Sequence, residues 1–138
     1  MLDGLNLYGS LGLNETRFDE FIDNDLDLSG NEFPYAPNWS TALGVAFTVD
    51  EVWVGDVHLA SQDSFFSERE NDPRLKVGNR HLLNMRVGYE RDRWGLFFLG
   101  RNLLDEAFLH QAWENQLGLL MGRSAEPRTF AMELTVGM

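Results

Sequence analysis

Thr129-Phe130-Ala131-Met132-Glu133-Leu134-Thr135-Val136-Gly137-Met138 alternates without a break. Phe130, Met132, Leu134, Val136 and Met138 fall on one face, and Thr129, Ala131, Glu133, Thr135 and Gly137 on the other. A period of two marks a strand with one face in an apolar medium. The run reaches the last residue with no polar tail, whereas the ends of soluble domains usually fray into solvent. An outer-membrane β-barrel finishes in this way, because its last strand pairs with its first and removes the sheet edge. On that reading the five apolar residues mark a barrel-closing strand.

Five further segments alternate in the same manner. Leu5, Leu7, Leu11 and Leu13 share one face of a segment from about Leu5 to Asn14. Trp39, Thr41, Leu43, Val45, Phe47 and Val49 alternate with Ser40, Ala42, Gly44, Ala46 and Thr48. Trp53, Val57 and Leu59 oppose Asp56, His58, Ala60 and Gln62 in a segment ending near Asp63. Leu83, Met85, Val87 and Tyr89 alternate with Asn84, Arg86, Gly88 and Glu90 between His81 and Glu90. The fifth, Trp94 to Leu103, is apolar on both faces at Phe97, Phe98 and Leu99. Each is close to the roughly 9–11 residues of a tilted membrane strand. Glycine and β-branched residues inside the segments argue against helix. Residues His110 to Met121 are the exception, compatible with a helical turn or two inside a loop.

The connections sharpen the reading. Asp50 to Val52 and Arg91-Asp92 are tight, while Glu15 to Asn38, Ser64 to Arg80 and Leu104 to Arg128 are long, so short and long alternate strictly. Barrels of the outer membrane have short turns at one end and long loops at the other. Keeping apolar with apolar predicts Val49 opposite Trp53, Phe47 opposite Gly55, Val45 opposite Val57 and Leu43 opposite Leu59. Phe47 would then cover the bare backbone at Gly55. In the next hairpin the same rule predicts Tyr89–Trp94, Val87–Leu96 and Met85–Phe98. Phe47, Trp53, Tyr89 and Trp94 flank the short turns, and Trp39, Phe65, Phe66 and Phe108 lie near the long loops, as two aromatic girdles would.

Composition limits the function. There are 22 acidic and 11 basic residues, a formal net charge of -11, which argues against a nucleic-acid partner. Cysteine is absent, so there is neither a disulfide nor a thiolate metal site. No apolar run reaches the roughly 18 residues of a spanning helix. Low mean hydropathy does not exclude the membrane, because barrel strands hide their apolar residues at alternate positions.

Three stretches resemble the C-terminal end of a TonB-dependent outer-membrane receptor. Asp27-Leu28-Ser29-Gly30-Asn31-Glu32-Phe33-Pro34-Tyr35-Ala36-Pro37-Asn38-Trp39 is similar to a loop that ends in Ala-Pro before an aromatic opens the next strand. Arg93-Trp94-Gly95-Leu96-Phe97-Phe98-Leu99-Gly100-Arg101-Asn102-Leu103-Leu104-Asp105-Glu106 is similar to the family's Asn-Leu-x-Asp-Glu strand end. Glu126-Pro127-Arg128-Thr129-Phe130 resembles its Pro-Arg-Thr lead-in to the final strand. The resemblance implies a barrel of about 22 strands around a plug. It also implies TonB-driven uptake of siderophore, vitamin or glycan. Where the family ends in an aromatic residue, this chain has Met138.

Candidate chemistry is sparse. Asp23, Asp25 and Asp27 fit positions 1, 3 and 5 of a calcium loop, but position 6 is Leu28 rather than Gly and position 12 is Pro34 rather than Glu. The acidic stretch 19–32 therefore reads first as a solvated loop. Asp56, His58, Arg86 and Glu90 are the candidate lumen-facing contacts to a ligand or a plug. His81 and His110 form no evident metal set with His58. No nucleophile elbow or phosphate-cradling loop is present, and no catalytic residue, metal or cofactor is assigned.

The expectation is an all-β chain, an antiparallel up-and-down meander of about six strands forming a fragment of a transmembrane β-barrel. Residues 1–138 would be a single partial domain, with the plug and N-terminal strands absent. Its partners would be the rest of the barrel and plug, outer-membrane lipid and a small nutrient, with TonB reached through the missing N-terminal part. Location would be the bacterial outer membrane, and the role transport rather than catalysis. The alternatives are a small self-contained β-barrel binding an apolar ligand, or an inactive truncated gene product. With two unpaired edges, the isolated chain is expected to need detergent or further strands.

Overall fold

Alternation in six segments produces six long antiparallel strands in one sheet. The computed structural model describes residues 2–137. The long strands are β1 (Leu2–Leu13), β4 (Trp39–Val49), β5 (Trp53–Gln62), β8 (Arg80–Arg91), β9 (Trp94–Arg101) and β12 (Thr129–Val136). They pair in the order β1-β4-β5-β8-β9-β12, each with its neighbour in the chain. The long connections carry short strands of their own: β2 (Ile22–Asp23) with β3 (Leu26–Asp27), β6 (Phe65–Phe66) with β7 (Lys76–Val77), and β10 (Leu109–Glu114) with β11 (Leu120–Ser124). A 3-10 turn, Pro73–Leu75, precedes β7. Among the described residues, β1 and β12 are edges with one neighbour each. The last residue of the alternating run, Met138, lies outside the described residues.

The register of the first hairpin follows the apolar faces: Val49 opposite Trp53, Phe47 opposite Gly55, Val45 opposite Val57, Leu43 opposite Leu59. A side chain at Gly55 would run into the Phe47 ring, so the aromatic does cover that backbone. The second hairpin departs from expectation. Arg91 faces Trp94, Tyr89 faces Leu96, Val87 faces Phe98 and Met85 faces Gly100, a slip of two residues. The turn is Asp92-Arg93 rather than Arg91-Asp92, and Asp92 takes the left-handed conformation there with φ 53°. Aspartate tolerates that region better than most residues. A slip of two preserves face parity, so patterning alone could not choose between the registers.

One face of the sheet is apolar almost throughout. Leu7, Leu43, Leu96, Phe98, Met132 and Leu134 all lie on it, and Leu7 and Met132 are 71% and 73% exposed. At its short-turn end, Trp53 meets Tyr89 edge-on at 5.3 Å and Tyr89 lies 5.5 Å from Trp94. Of the four aromatics expected in a second girdle, Phe66 lies under Lys76 and Phe108 under Arg80. Phe65 is buried with Leu75, Val77 and Ala112 in a small core shared by two long loops. The stretch His110 to Met121 is a hairpin, not a helical turn, with Trp113 opposite Met121.

Substituting Gly55→Val is expected to displace Phe47 and cost about 1–3 kcal/mol, as overpacking does. Denaturant unfolding reads this, and Phe47→Ala in the same background should recover part of the loss.

Candidate functional site

The opposite face carries a hydrogen-bonded chain. Tyr8 lies across Gly44, where any side chain would strike its ring, and its hydroxyl donates to Asp56 Oδ2 at 2.6 Å. His58 Nδ1 sits 2.8 Å from Asp56 Oδ1, and its Nε2 is 3.3 Å from Asn84 Nδ2. A proton on Nδ1 satisfies both contacts, because the carboxylate accepts and the amide donates. Asn84 Oδ1 in turn accepts the backbone N–H of Asn102 at 3.0 Å.

A second linkage spans the far side of the same face. Arg86 on β8 reaches over β9 to Glu133 on β12, with 2.8 Å between Nη2 and Oε1. On the way its guanidinium lies 3.4 Å over the ring of Phe97, which is 2% exposed. This explains the apolar residue on the polar face. Phe97 fills the space above Gly88 and Gly95, and Arg86 seals it. The half-exposed ion pair contributes roughly 0–1 kcal/mol and the cation–π contact about the same or slightly more. Grooves of about 420 Å³ and 260 Å³ flank these residues, the first lined by Asn6, Asp56 and Arg86, the second by His58, Asn84 and Arg101.

The motifs singled out in the sequence meet in space. Asn102, 5% exposed and with φ 50°, accepts from Glu106 N–H and donates to the carbonyls of Glu106 and Glu126. Asp105 accepts the backbone N–H of Arg128 at 3.2 Å and pairs with its guanidinium at 3.3 Å. The Asn-Leu-x-Asp-Glu and Pro-Arg-Thr stretches thus clamp the two ends of the last long loop together. Glu106 also accepts His81 N–H, tying the clamp to β8.

No family model matches the chain. Among solved structures it is similar to the siderophore receptor PiuA from Acinetobacter baumannii, with a TM-score of 0.75 at 15% identity over 96% of this chain and 19% of that one. It is also similar to the ferric yersiniabactin uptake receptor FyuA from Yersinia pestis, with a TM-score of 0.72 at 15% identity over 79% of this chain and 17% of that one. The chain shares the fold of a segment of each of these two proteins. The chain spans under a fifth of the length of either receptor.

Of the sequence candidates, the sheet brings together Asp56, His58 and Arg86, with Asp56 directly opposite Arg86 in the register. Glu90 is exposed at the short-turn end of β8, about 13 Å along the strand from Arg86 at strand rise, and joins neither linkage. Alternation alone gives no signal for Tyr8, Asn84, Phe97 and Glu133. Their roles depend on which strands become neighbours, although Tyr8 opposite a glycine was readable once β1 and β4 were paired. The acidic stretch 19–32 makes a tight hairpin in which Asn24 and Asp25 have φ 48° and 66°. Asp23 is paired with Arg69, and Asp27 accepts Ser29 N–H. Among the described residues no group of three His, Asp or Glu is placed to hold a metal.

The middle loop has its own electrostatics. Burial raises the Glu68 carboxyl above the ordinary range, and Glu70, Asp72 and Glu114 push the same way. Asp72 is held below its ordinary range by the Arg74 side chain and by Arg74 N–H, which it accepts as cap of the 3-10 turn. A raised carboxyl stabilises the fold when protonated and loses that contribution as pH rises through its folded titration. A depressed one contributes above its ordinary range and is lost as pH falls through its folded titration. Acidification from neutrality should therefore first raise the amide protection factors at Ser67 and Leu75, with exchange referred to the intrinsic rate at each pH, then lower them once Asp72 protonates. Glu68→Gln should remove only the first phase; its persistence in that variant would contradict the assignment.

Proposed function

We propose that the chain supplies six wall strands and three outer loops of an outer-membrane receptor that takes up a scarce nutrient, a ferric siderophore foremost, using energy from the TonB complex. The observation that carries this reading is the opposition of two faces within a sheet of receptor-barrel fold. One face is apolar from Leu5 to Val136, and the other carries the Tyr8–Asp56–His58–Asn84 chain and the Arg86–Glu133 pair. In lipid every strand N–H and C=O must be paired within the wall, and the meander does this for its inner strands. Residues 1–138 are then the C-terminal part of the barrel, with plug and preceding strands contributed from outside them.

In this role the polar face lines the lumen, where Asp56, His58 and Arg86 meet a passing ligand or the plug. Phe130, Met132, Leu134 and Val136 face lipid on the strand that closes the barrel. Nothing in this division of labour requires bond-making chemistry. A self-contained barrel around an apolar ligand is less well supported, because β12 pairs with β9 alone among the described residues and not with β1.

Iron-starved cells carrying the gene should accumulate radiolabelled iron from a ferric siderophore, and collapse of the proton gradient should stop it. Asp56→Asn with His58→Ala should lower that uptake several-fold at unchanged receptor level. Equal uptake with and without the gene, for siderophores, cobalamin and glycans alike, would refute the reading.

A further inference from the structure

The long connections are tied together in one direction only. The first, between β1 and β4, is joined to the middle one by a reciprocal pair. Asn71 Oδ1 accepts Glu32 N–H at 2.6 Å, while Asn71 Nδ2 donates to Glu32 O at 2.9 Å. Asn31 Nδ2 donates to Arg69 O, Tyr35 N–H donates to Phe66 O, and Arg69 pairs with Asp23 while lying over Phe21. The third connection, between β9 and β12, is joined to the same middle segment. Ala112 N–H donates to Ser67 Oγ at 3.0 Å with both residues buried, and Arg74 pairs with Glu114 at 2.9 Å. Ala112 completes the apolar core of Phe65, Leu75 and Val77. Among the described residues no hydrogen bond, ion pair or ring contact links the first connection to the third.

We propose that residues 63–79 act as a keystone that makes the three outer loops one rigid cap, opening and closing as a body rather than as separate flaps. The physical ground is steric and chemical. The Val77 side chain is 1% exposed and Ser67 4%, so the third connection cannot leave without stripping Ala112 from that core and from Ser67, while the first is held by the Asn71–Glu32 pair and by Tyr35, whose ring lies 5.7 Å from that of buried Phe65. A closely packed core of this kind moves as a unit or breaks, and does not deform gradually. Asn71 holds φ 53°, so its side chain is presented to Glu32 by a backbone conformation that the segment itself supplies. As the cap of a ligand-gated channel this rests on the receptor reading, but the coupling itself does not.

The test perturbs one interface and reads the other. Asn71→Gly keeps the left-handed backbone open to the residue and removes only the side chain. Hydrogen exchange is followed by mass spectrometry on the full chain in detergent micelles, without ligand. The keystone predicts faster exchange, by about fivefold or more, both at residues 31–35 and at residues 109–114, which Asn71 does not touch. Acceleration confined to 31–35, with 109–114 within about twofold of the parent, would overturn it. Exchange in β5 reports the wall. If β5 changes too, Ser67→Ala decides by the converse readout, since the keystone then requires acceleration at Glu32. Because no transport is measured, loss of the coupling and loss of the uptake reading are separate results.

Discussion

Parity governs this molecule. Every apolar side chain that defines the wall occupies the same face of its strand, and the register carries that face across six strands from Leu5 to Val136. A slip by one residue in a pair that includes β5 or β8 would put Asp56 or Arg86 among leucines and valines. A slip by two would be silent to patterning and must be settled by turn geometry and by glycine–aromatic contacts. The structure uses both devices, at Asp92 and at Gly55 beneath Phe47.

Given parity, the polar face has to solve its own packing. It does so with side chains long enough to bridge strands that are not adjacent. Tyr8 crosses β4 to reach β5, and Arg86 crosses β9 to reach β12. Both cross above glycine, which leaves room for the ring that makes the crossing or is covered by it. Individually these contacts are weak, of the order of 1 kcal/mol. Collectively they oppose sliding of one strand past the next, which backbone bonds alone permit in steps of two.

The wall was legible in the sequence and the loops largely were not. Period-two alternation needs only the strand itself, so β4 was bounded correctly and the first hairpin was registered correctly. The second hairpin was misplaced by two because both registers keep apolar residues together. Position near a long loop suggests a girdle for Phe65, but its burial depends on Ala112, which is 47 positions away and lies in a hairpin without strong alternation. Glu90 was grouped with Asp56 and Arg86 by parity, yet position along the strand separates them. The Asn102 and Arg128 motifs were recognised as strings, while the clamp through Asp105 and the Glu126 carbonyl that explains their pairing emerged only from the fold.

The central claim is that the apolar face meets lipid and the polar face meets water. Spin labels placed singly from Val54 to Ser61 along β5, in the protein reconstituted in bilayers, test it directly. The account predicts that oxygen accessibility rises at Val57 and Leu59 and falls at Asp56, His58 and Ala60, with a water-soluble nickel complex showing the opposite phase. Equal accessibility at neighbouring positions, or apolar positions reached by nickel rather than oxygen, would contradict it.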